Sequence, residues 1–406
     1  MDIGFAEAVL VLGLILALTA FLSGWFHGTV LSGSVLSVAA GIVLAKSGVI
    51  GVDPGAPIVV FLVELALLLT LFSDGLYAER ELVRREWHAP ARALIIAMPI
   101  TLVLLGLAGK ALFGELTWAE AFLLAAVLTP TDPVVTSTVV TSRRVPAFIR
   151  HTLNLESGLN DGLALPLVLF FLVLATRETG ALGEAGNLVG EVAIGAAIGV
   201  AVAVVGALSL SRAPGGSLLR KYEGMYGLGL AFLSFGIAEV GHGNGLIAAF
   251  VAGMALAAGR VELPESFGRF NETVSGAFQV MTFVVFGALI VTTGWFHGST
   301  LALAGFVPFA LLVARPLAVL ISFVGLGLPR PQTLFIAWFG PKGVASMLFA
   351  LLVLDSTARH RALVFDVASF VILSSILAHG LTDTIGANWL ERIVARGRAV
   401  EEPAAR

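Results

Sequence analysis

Apolar stretches long enough to cross a bilayer recur from Phe5 to Gly386 with no long polar block between them. A spanning helix needs about 17–25 predominantly apolar residues. On that ruler the chain divides into 13 candidate spans, near 5–22, 30–48, 57–73, 91–109, 118–140, 150–176, 187–210, 224–240, 244–258, 274–293, 301–327, 332–354 and 362–386. The segment 244–258 is short and reads as a tilted or partly buried helix. In lipid a helix satisfies its own backbone groups, so the sequence predicts an all-α polytopic membrane protein. Composition agrees: 58% of the 406 residues are hydrophobic and 13% are charged, against roughly 25% charged in soluble domains. A net charge of −3 argues against a nucleic-acid partner. With no Cys there are no disulfides, thiolate metal sites or Cys nucleophiles. Neither His-Glu-x-x-His nor Gly-x-Ser-x-Gly occurs, so neither an enzyme nor a bound cofactor is expected. The first residues, MDIGFAEAVL, lack the basic start of a cleavable signal and read as part of the mature fold.

Lys and Arg are retained on the cytoplasmic side of membrane proteins, so their distribution orients the spans. Of the 24 Lys and Arg, 17 fall in one set of connections together with the C-terminal tail, and 5 (Lys46, Lys110, Arg177, Arg359, Arg361) fall in the other. Only Arg315 and Lys342 lie inside spans. This places the N-terminus outside the cell membrane, the C-terminus in the cytoplasm, and a short cytoplasmic tail at 387–406. An odd total also has topological meaning. Two six-helix units separated by one helix must insert in opposite orientations, which is the arithmetic of an inverted repeat. The units would be 5–176 and 224–386, with 187–210 as the linker. Each contains a Pro/Gly-interrupted polar stretch in its fifth span, Leu128-Thr129-Pro130-Thr131-Asp132-Pro133 and Gly340-Pro341-Lys342-Gly343. Interrupted helices at matching places in two halves point to a site near the midplane, with the broken helices crossing in the core.

A charge at the bilayer centre costs at least about 2.5–3.5 kcal/mol, so each one inside a span needs a partner or a task. The candidates are Glu64, Asp74, Asp132, Glu156, Asp161, Arg315 and Lys342. The densest group is Asn154-Leu155-Glu156-Ser157-Gly158-Leu159-Asn160-Asp161-Gly162. Helical spacing puts Ser157 and Asp161 on one face and Glu156 and Asn160 on the adjacent one. Gly158 and Gly162 permit close approach of a neighbouring helix or of the broken fifth span. An Asp in a half-wet cavity can exchange its proton near physiological pH, because burial and nearby dipoles or cations act on it in opposite directions. It then holds a proton or a hard monovalent cation, with oxygens supplied by Ser157, Asp132 and Thr131. Binding one ion expels the other. Asn160 cannot titrate, so one exchangeable charge means one cation for one proton. His379 is the one histidine of seven placed inside a span, and reads as a polar packing residue or a proton sensor.

At these residues the sequence resembles the monovalent cation:proton antiporter-1 family, the sodium/proton exchangers of the NhaP and NHE type. Four stretches carry the resemblance: Thr131-Asp132-Pro133, Glu156-Ser157-Gly158-Leu159-Asn160-Asp161-Gly162, Ala314-Arg315-Pro316 and Gly340-Pro341-Lys342-Gly343-Val344-Ala345-Ser346. The resemblance implies electroneutral exchange of Na+, with Li+ as a further substrate and K+ as the alternative cation, for H+ by alternating access. Within it Asp161 matches the ion- and proton-binding carboxylate, and Ser157 and Thr131 match cation ligands beside it. Asp132 matches the acid of the unwound helix. Glu156 matches a buried acid paired with Arg315, and Asn160 the neutral neighbour of the carrier. Asp74 stands where bacterial members often carry an acid near the cytoplasmic funnel. Lys342 departs from the pattern, which usually has Arg in this stretch and thereby a planar fork. A core domain moving against a dimerisation domain, and homodimers, are also implied. A cation channel is the different-class alternative.

Overall fold

The computed structural model describes residues 10, 13–19, 21, 33–82, 87–132, 139, 142–176, 181–212, 216–259, 265–294 and 298–401. Half of the expected span 5–22 lies outside the described residues. So does most of the second half of span 118–140, Pro133 included. Described residues form helices and connections, with no strand among them. In order the helices are α1 (Gly33–Lys46), α2 (Pro57–Leu82), α3 (His88–Leu112), α4 (Trp118–Leu128), α5 (Ala147–Thr176), α6 (Ala181–Arg212), α7 (Gly216–Val240), α8 (Gly245–Ala258), α9 (Glu265–Thr292), α10 (Thr300–Ser322), α11 (Arg330–Trp338), α12 (Val344–Asp355) and α13 (Arg361–Glu401). Among the described residues seven helices are long and apolar enough to cross a bilayer: α2, α3, α5, α6, α9, α10 and α13. The shorter α4, α11 and α12 end at the two interruptions read from the sequence.

Local sequence sets the helix ends. Thr117 and Glu120 form a capping box at the start of α4, in which each side chain takes the other's backbone N–H. Glu120 also accepts the His360 backbone N–H at 2.8 Å and faces its Nδ1 at 2.9 Å, pinning that end of α4 to the turn before α13. Asn244 caps α8 by accepting from the Ile247 N–H at 2.9 Å. The short α8 is buried, as its length predicted. Helix α10 stops at Ser322, earlier than the expected 327, and Gly325 and Gly327 turn the chain with φ of +83° and +69°. Residues 387–401, expected as a tail, continue α13 as helix.

The architecture repeats itself. In α1 and α9 a Cβ on Gly41 would lie 2.0 Å from the Val284 carbonyl oxygen, and one on Gly287 would lie 2.2 Å from that of Val38. In α2 and α8 the same reciprocity holds: a Cβ on Gly75 would lie 2.4 Å from the Phe250 carbonyl, and one on Gly253 would lie 2.3 Å from that of Phe72. Both seams therefore bring backbone onto backbone at paired glycines, the membrane mode of tight helix packing. Counting along each expected unit, α1 and α8 are second helices and α2 and α9 third helices, so the two seams are one pair seen twice.

The fourth helices match as well. Both α3 and α10 contain one π turn, at Ala93–Ala97 and Ala310–Ala314. Each is followed by a residue and then a proline, Met98-Pro99 and Arg315-Pro316. Proline cannot donate to the carbonyl four residues back and its ring clashes with it. Widening the preceding turn relieves the clash, and in α3 the Met98 N–H reaches the Ala93 carbonyl, five residues back. This is the expected antiporter architecture: paired units with their broken helices crossing in the core.

Candidate functional site

The two interruptions meet where α4 ends and α12 begins. The Asp132 N–H donates to the Pro341 carbonyl at 2.9 Å, so the unwound backbones hydrogen-bond to each other. Each break supplies a charge to the other's helix end. Asp132 Oδ2 accepts from the Val344 N–H at 2.8 Å, placing an anion on the N-terminus of α12. Lys342 Nζ donates to the carbonyls of Thr129 and Pro130, both at 3.2 Å, placing a cation on the C-terminal end of α4. Only 2% of Lys342 is exposed, so these carbonyls take the place of water. The partner that the sequence left open for Lys342 is thus a pair of main-chain oxygens, which a point charge satisfies without a guanidinium fork.

The glycines flanking Pro341-Lys342 leave room for these charges. A Cβ on Gly343 would stand 2.2 Å from Asp132 Oδ2, and one on Gly340 would stand 1.8 Å from Arg315 Nε. Arg315, carried at the end of the π turn of α10, makes a bidentate pair with Glu156, Nη1 to Oε1 at 2.5 Å and Nη2 to Oε2 at 3.0 Å. Both side chains are buried. The expected pair forms, and its guanidinium lies across the Gly340 backbone.

Beside Glu156 on α5 sit Ser157, Asn160 and Asp161, all buried. The Ser157 hydroxyl lies 3.3 Å from that of Thr131. Asn160 Nδ2 donates to Thr131 Oγ1 at 2.6 Å and to the Thr131 carbonyl at 3.3 Å. Asn160 therefore does more than stay neutral: it fixes Thr131 by both side chain and main chain. Asp161 Oδ1 receives no donor from the described residues. Asp74 of α2 lies within hydrogen-bonding reach of the Asp161 side chain, and its own Oδ2 likewise receives no donor. Asp132 and Lys342 act on Asp161 electrostatically. Gly162 is the point of close approach, and what approaches is the Phe250 ring of α8, to which a Cβ would stand at 2.3 Å.

The structure thus brings together Asp74, Thr131, Asp132, Glu156, Ser157, Asn160, Asp161, Arg315 and Lys342. It leaves out Glu64, which is exposed on α2 and lines a separate cleft with Asp355. Sequence reasoning sets Asp74 near the cytoplasmic funnel by resemblance, and the structure has it beside Asp161. It missed a neighbouring polar cluster: Gln279 of α9 donates to Thr70 Oγ1 at 3.3 Å and to Ser275 Oγ at 3.4 Å. The signal was present as helical spacing, Thr70, Ser73 and Asp74 on α2 opposite Ser275, Gln279 and Thr282 on α9. Oxygen atoms of carboxylates, hydroxyls and main chain converge here, a donor set for a hard cation or a proton.

Comparison with known proteins bears on which chains carry such a site. The family described as "Sodium/hydrogen exchanger, transmembrane" matches residues 14–388. The chain belongs to this family. Among its relatives, "K(+)/H(+) antiporter NhaP" of Alkalimonas amylolytica is 27% identical over 360 residues, covering 86% of this chain and 61% of the relative. "K(+)/H(+) antiporter NhaP2" of Shewanella sp. (strain ANA-3) is 24% identical over 362 residues, covering 87% and 62%. A "Na(+)/H(+) antiporter" of Schizosaccharomyces pombe is 28% identical over 322 residues, covering 69% and 66%. The chain spans about three fifths of the length of the first two relatives. These relatives are transporters by name and not enzymes. The solved structure of the sodium proton antiporter MjNhaP1 from Methanocaldococcus jannaschii at pH 8 superposes with a TM-score of 0.75 at 19% identity, covering 95% of this chain and 98% of that one. The sodium/hydrogen exchanger fold seen in that structure is the fold of this family member.

Proposed function

We propose that this family member exchanges one monovalent cation for one proton across the cell membrane by alternating access, with Asp161 holding either ion in competition. The observation that carries the reading is the juxtaposition of Asp161 and Asp74. Two ionised carboxylates in contact in a low-dielectric site repel strongly, so the pair needs one positive charge between them. A proton shared by the two carboxyls meets the need, and so does one cation ligated by Asp161, Asp74, Ser157 and Thr131. The pair carries the same net charge in both states, so each exchange moves no net charge. Asp132 and Lys342 serve the helix ends, and Glu156 with Arg315 braces the break. On this reading Asp74 is a ligand and proton partner, beyond the funnel position that the sequence suggested.

The cation is Na+ or K+. An all-oxygen donor set accepts either, and relatives named for each exist among those matched. The bias of basic residues supports an outside N-terminus and a cytoplasmic C-terminus, and family resemblance supports a homodimer. Reconstituted vesicles carrying a pH-sensitive dye, titrated with Li+, Na+ and K+, test the proposal. Asp161→Asn should abolish the cation-induced dye response, and clamping the membrane voltage should leave the wild-type rate unchanged. Exchange surviving in the variant would overturn the carrier assignment, and a steep voltage dependence would overturn the one-for-one stoichiometry.

A further inference from the structure

Phe250 of α8 packs against both helices that carry the carboxyl pair, each time at the residue next to the carboxylate. Its main-chain oxygen lies 2.4 Å from where a Cβ on Gly75 would stand, and Gly75 follows Asp74 in α2. Its ring lies 2.3 Å from where a Cβ on Gly162 would stand, and Gly162 follows Asp161 in α5. The glycine seam of α2 with α8 fixes the main chain of Phe250, since Gly253, less than one turn on, meets the Phe72 carbonyl in return. Phe250 is 4% exposed, so the space that its ring fills is closed to solvent. Two carboxylate oxygens in this neighbourhood, Asp161 Oδ1 and Asp74 Oδ2, are buried and receive no donor from the described residues. A phenyl ring has no hydrogen-bond donor to give them.

We propose that Phe250 determines the cation specificity of the exchange site: its ring spaces α5 from α2 at the carboxyl pair and keeps water from completing the shell of an ion held there. The ring acts through the space it fills and not as a ligand. Buried polar groups take up water wherever a polar space of about 10–15 Å3, one probe sphere, is open to them. Replacing the ring by a methyl group opens a space of that kind beside two oxygens that lack a donor. Discrimination between hard cations is a matter of cavity size, ligand number and rigidity. With the ring in place, protein oxygens alone must hold the ion, at separations that α2 and α5 fix. With the ring gone, water makes up the misfit of an ion too small or too large for those separations. Gly162 is the other half of the device, because any side chain there would displace the ring. The wild-type site therefore discriminates among Li+, Na+ and K+, and loss of the ring levels that discrimination.

This inference rests on the exchange reading, and two measurements keep the two apart. In the dye assay, KM is determined for Li+, Na+ and K+ in the wild type, Phe250→Leu and Phe250→Ala. The largest and smallest KM should differ by about fivefold or more in the wild type and by no more than about twofold in Phe250→Ala. Phe250→Leu keeps much of the apolar volume and should fall between them; it stands in where Phe250→Ala does not fold. A ring that only packs would lower kcat or stability and leave the KM ratios as they are. The second measurement uses the absence of cysteine from the chain. Phe250→Cys provides a single thiol at the wall, and in reconstituted vesicles it should react with methyl methanethiosulfonate, because the reactive thiolate forms where water reaches it. Saturating Na+ or K+ should slow that reaction by about threefold or more, as occupancy of the site rises. Unchanged KM ratios in the variants, a wild type that does not discriminate among the three cations, or an inert thiol overturns the proposal. A wild type that moves none of the three cations overturns the exchange reading, while the thiol still reports whether the ring keeps water out.

Discussion

Gly340 and Gly343 are small for electrostatic reasons: each has a charged side chain lying where its Cβ would be, Arg315 on the first and Asp132 on the second. Between them Lys342 reaches two carbonyls of α4. Truncating a buried ion pair on one side costs more than the pair itself contributes, because the surviving charge is left desolvated. Glu156→Gln should therefore destabilise the protein by roughly 3–5 kcal/mol, read as a fall in unfolding temperature in detergent. The double replacement Glu156→Gln with Arg315→Met should recover part of that loss. A single variant as stable as wild type would remove Glu156 from its bracing role. Lys342→Met leaves the Thr129 and Pro130 carbonyls without a donor and should cost roughly 1–3 kcal/mol. Lys342→Arg keeps a donor for both carbonyls and should retain exchange. Loss of stability in both Lys342 variants alike would argue that the site needs the compact ammonium and not charge alone.

At the level of elements, the π turns of α3 and α10 share a cause but differ in consequence. In α10 the turn ends on Arg315, and one extra residue in the turn rotates every following side chain by about 100° around the helix. That rotation aims the guanidinium at Glu156. In α3 the residue at the same place is Met98, which carries no charge. Pro316→Ala restores an N–H able to reach the Leu312 carbonyl and lets the turn tighten to an ordinary α turn. We expect loss of exchange and a lowered unfolding temperature. Pro99→Ala makes the same backbone change in α3 and should be markedly milder in both measurements. Equal effects would mean that the π turn matters for packing alone and not for aiming Arg315.

Over the whole molecule, two glycine seams, α1 with α9 and α2 with α8, hold backbone against backbone. Lipid gives helices little hydrophobic reason to associate, so close packing at small residues has to supply the attraction. Gly287→Val and Gly253→Val each force a side chain against a carbonyl, and overpacking of this kind costs about 1–3 kcal/mol or more. Because the seams are equivalent, both variants should lose unfolding temperature to a similar extent when measured in the same detergent. One tolerated and one damaging substitution would show that the two units bear load unequally.

The membrane character, the order of the spans and the two interruptions were legible because they depend on runs of adjacent residues and on where Lys and Arg are rare. The polar group on α5 was legible for the same reason: helical spacing fixes which side chains share a face. Partners across the fold were not, because no local pattern states which helix end a charge will meet. Glu156 with Arg315 was expected from resemblance, but the carbonyls that hold Lys342, the hydroxyl that Asn160 fixes, and the carboxyl of Asp74 against Asp161 follow only from how α2, α5 and the two breaks converge. Sequence by itself determined that the chain had to be a bundle of helices in lipid with a few retained charges. Tertiary structure decided which of those charges meet helix ends and which carboxylate oxygens are left without a donor among the described residues, since in a medium without water that division depends on distances between residues far apart in the chain.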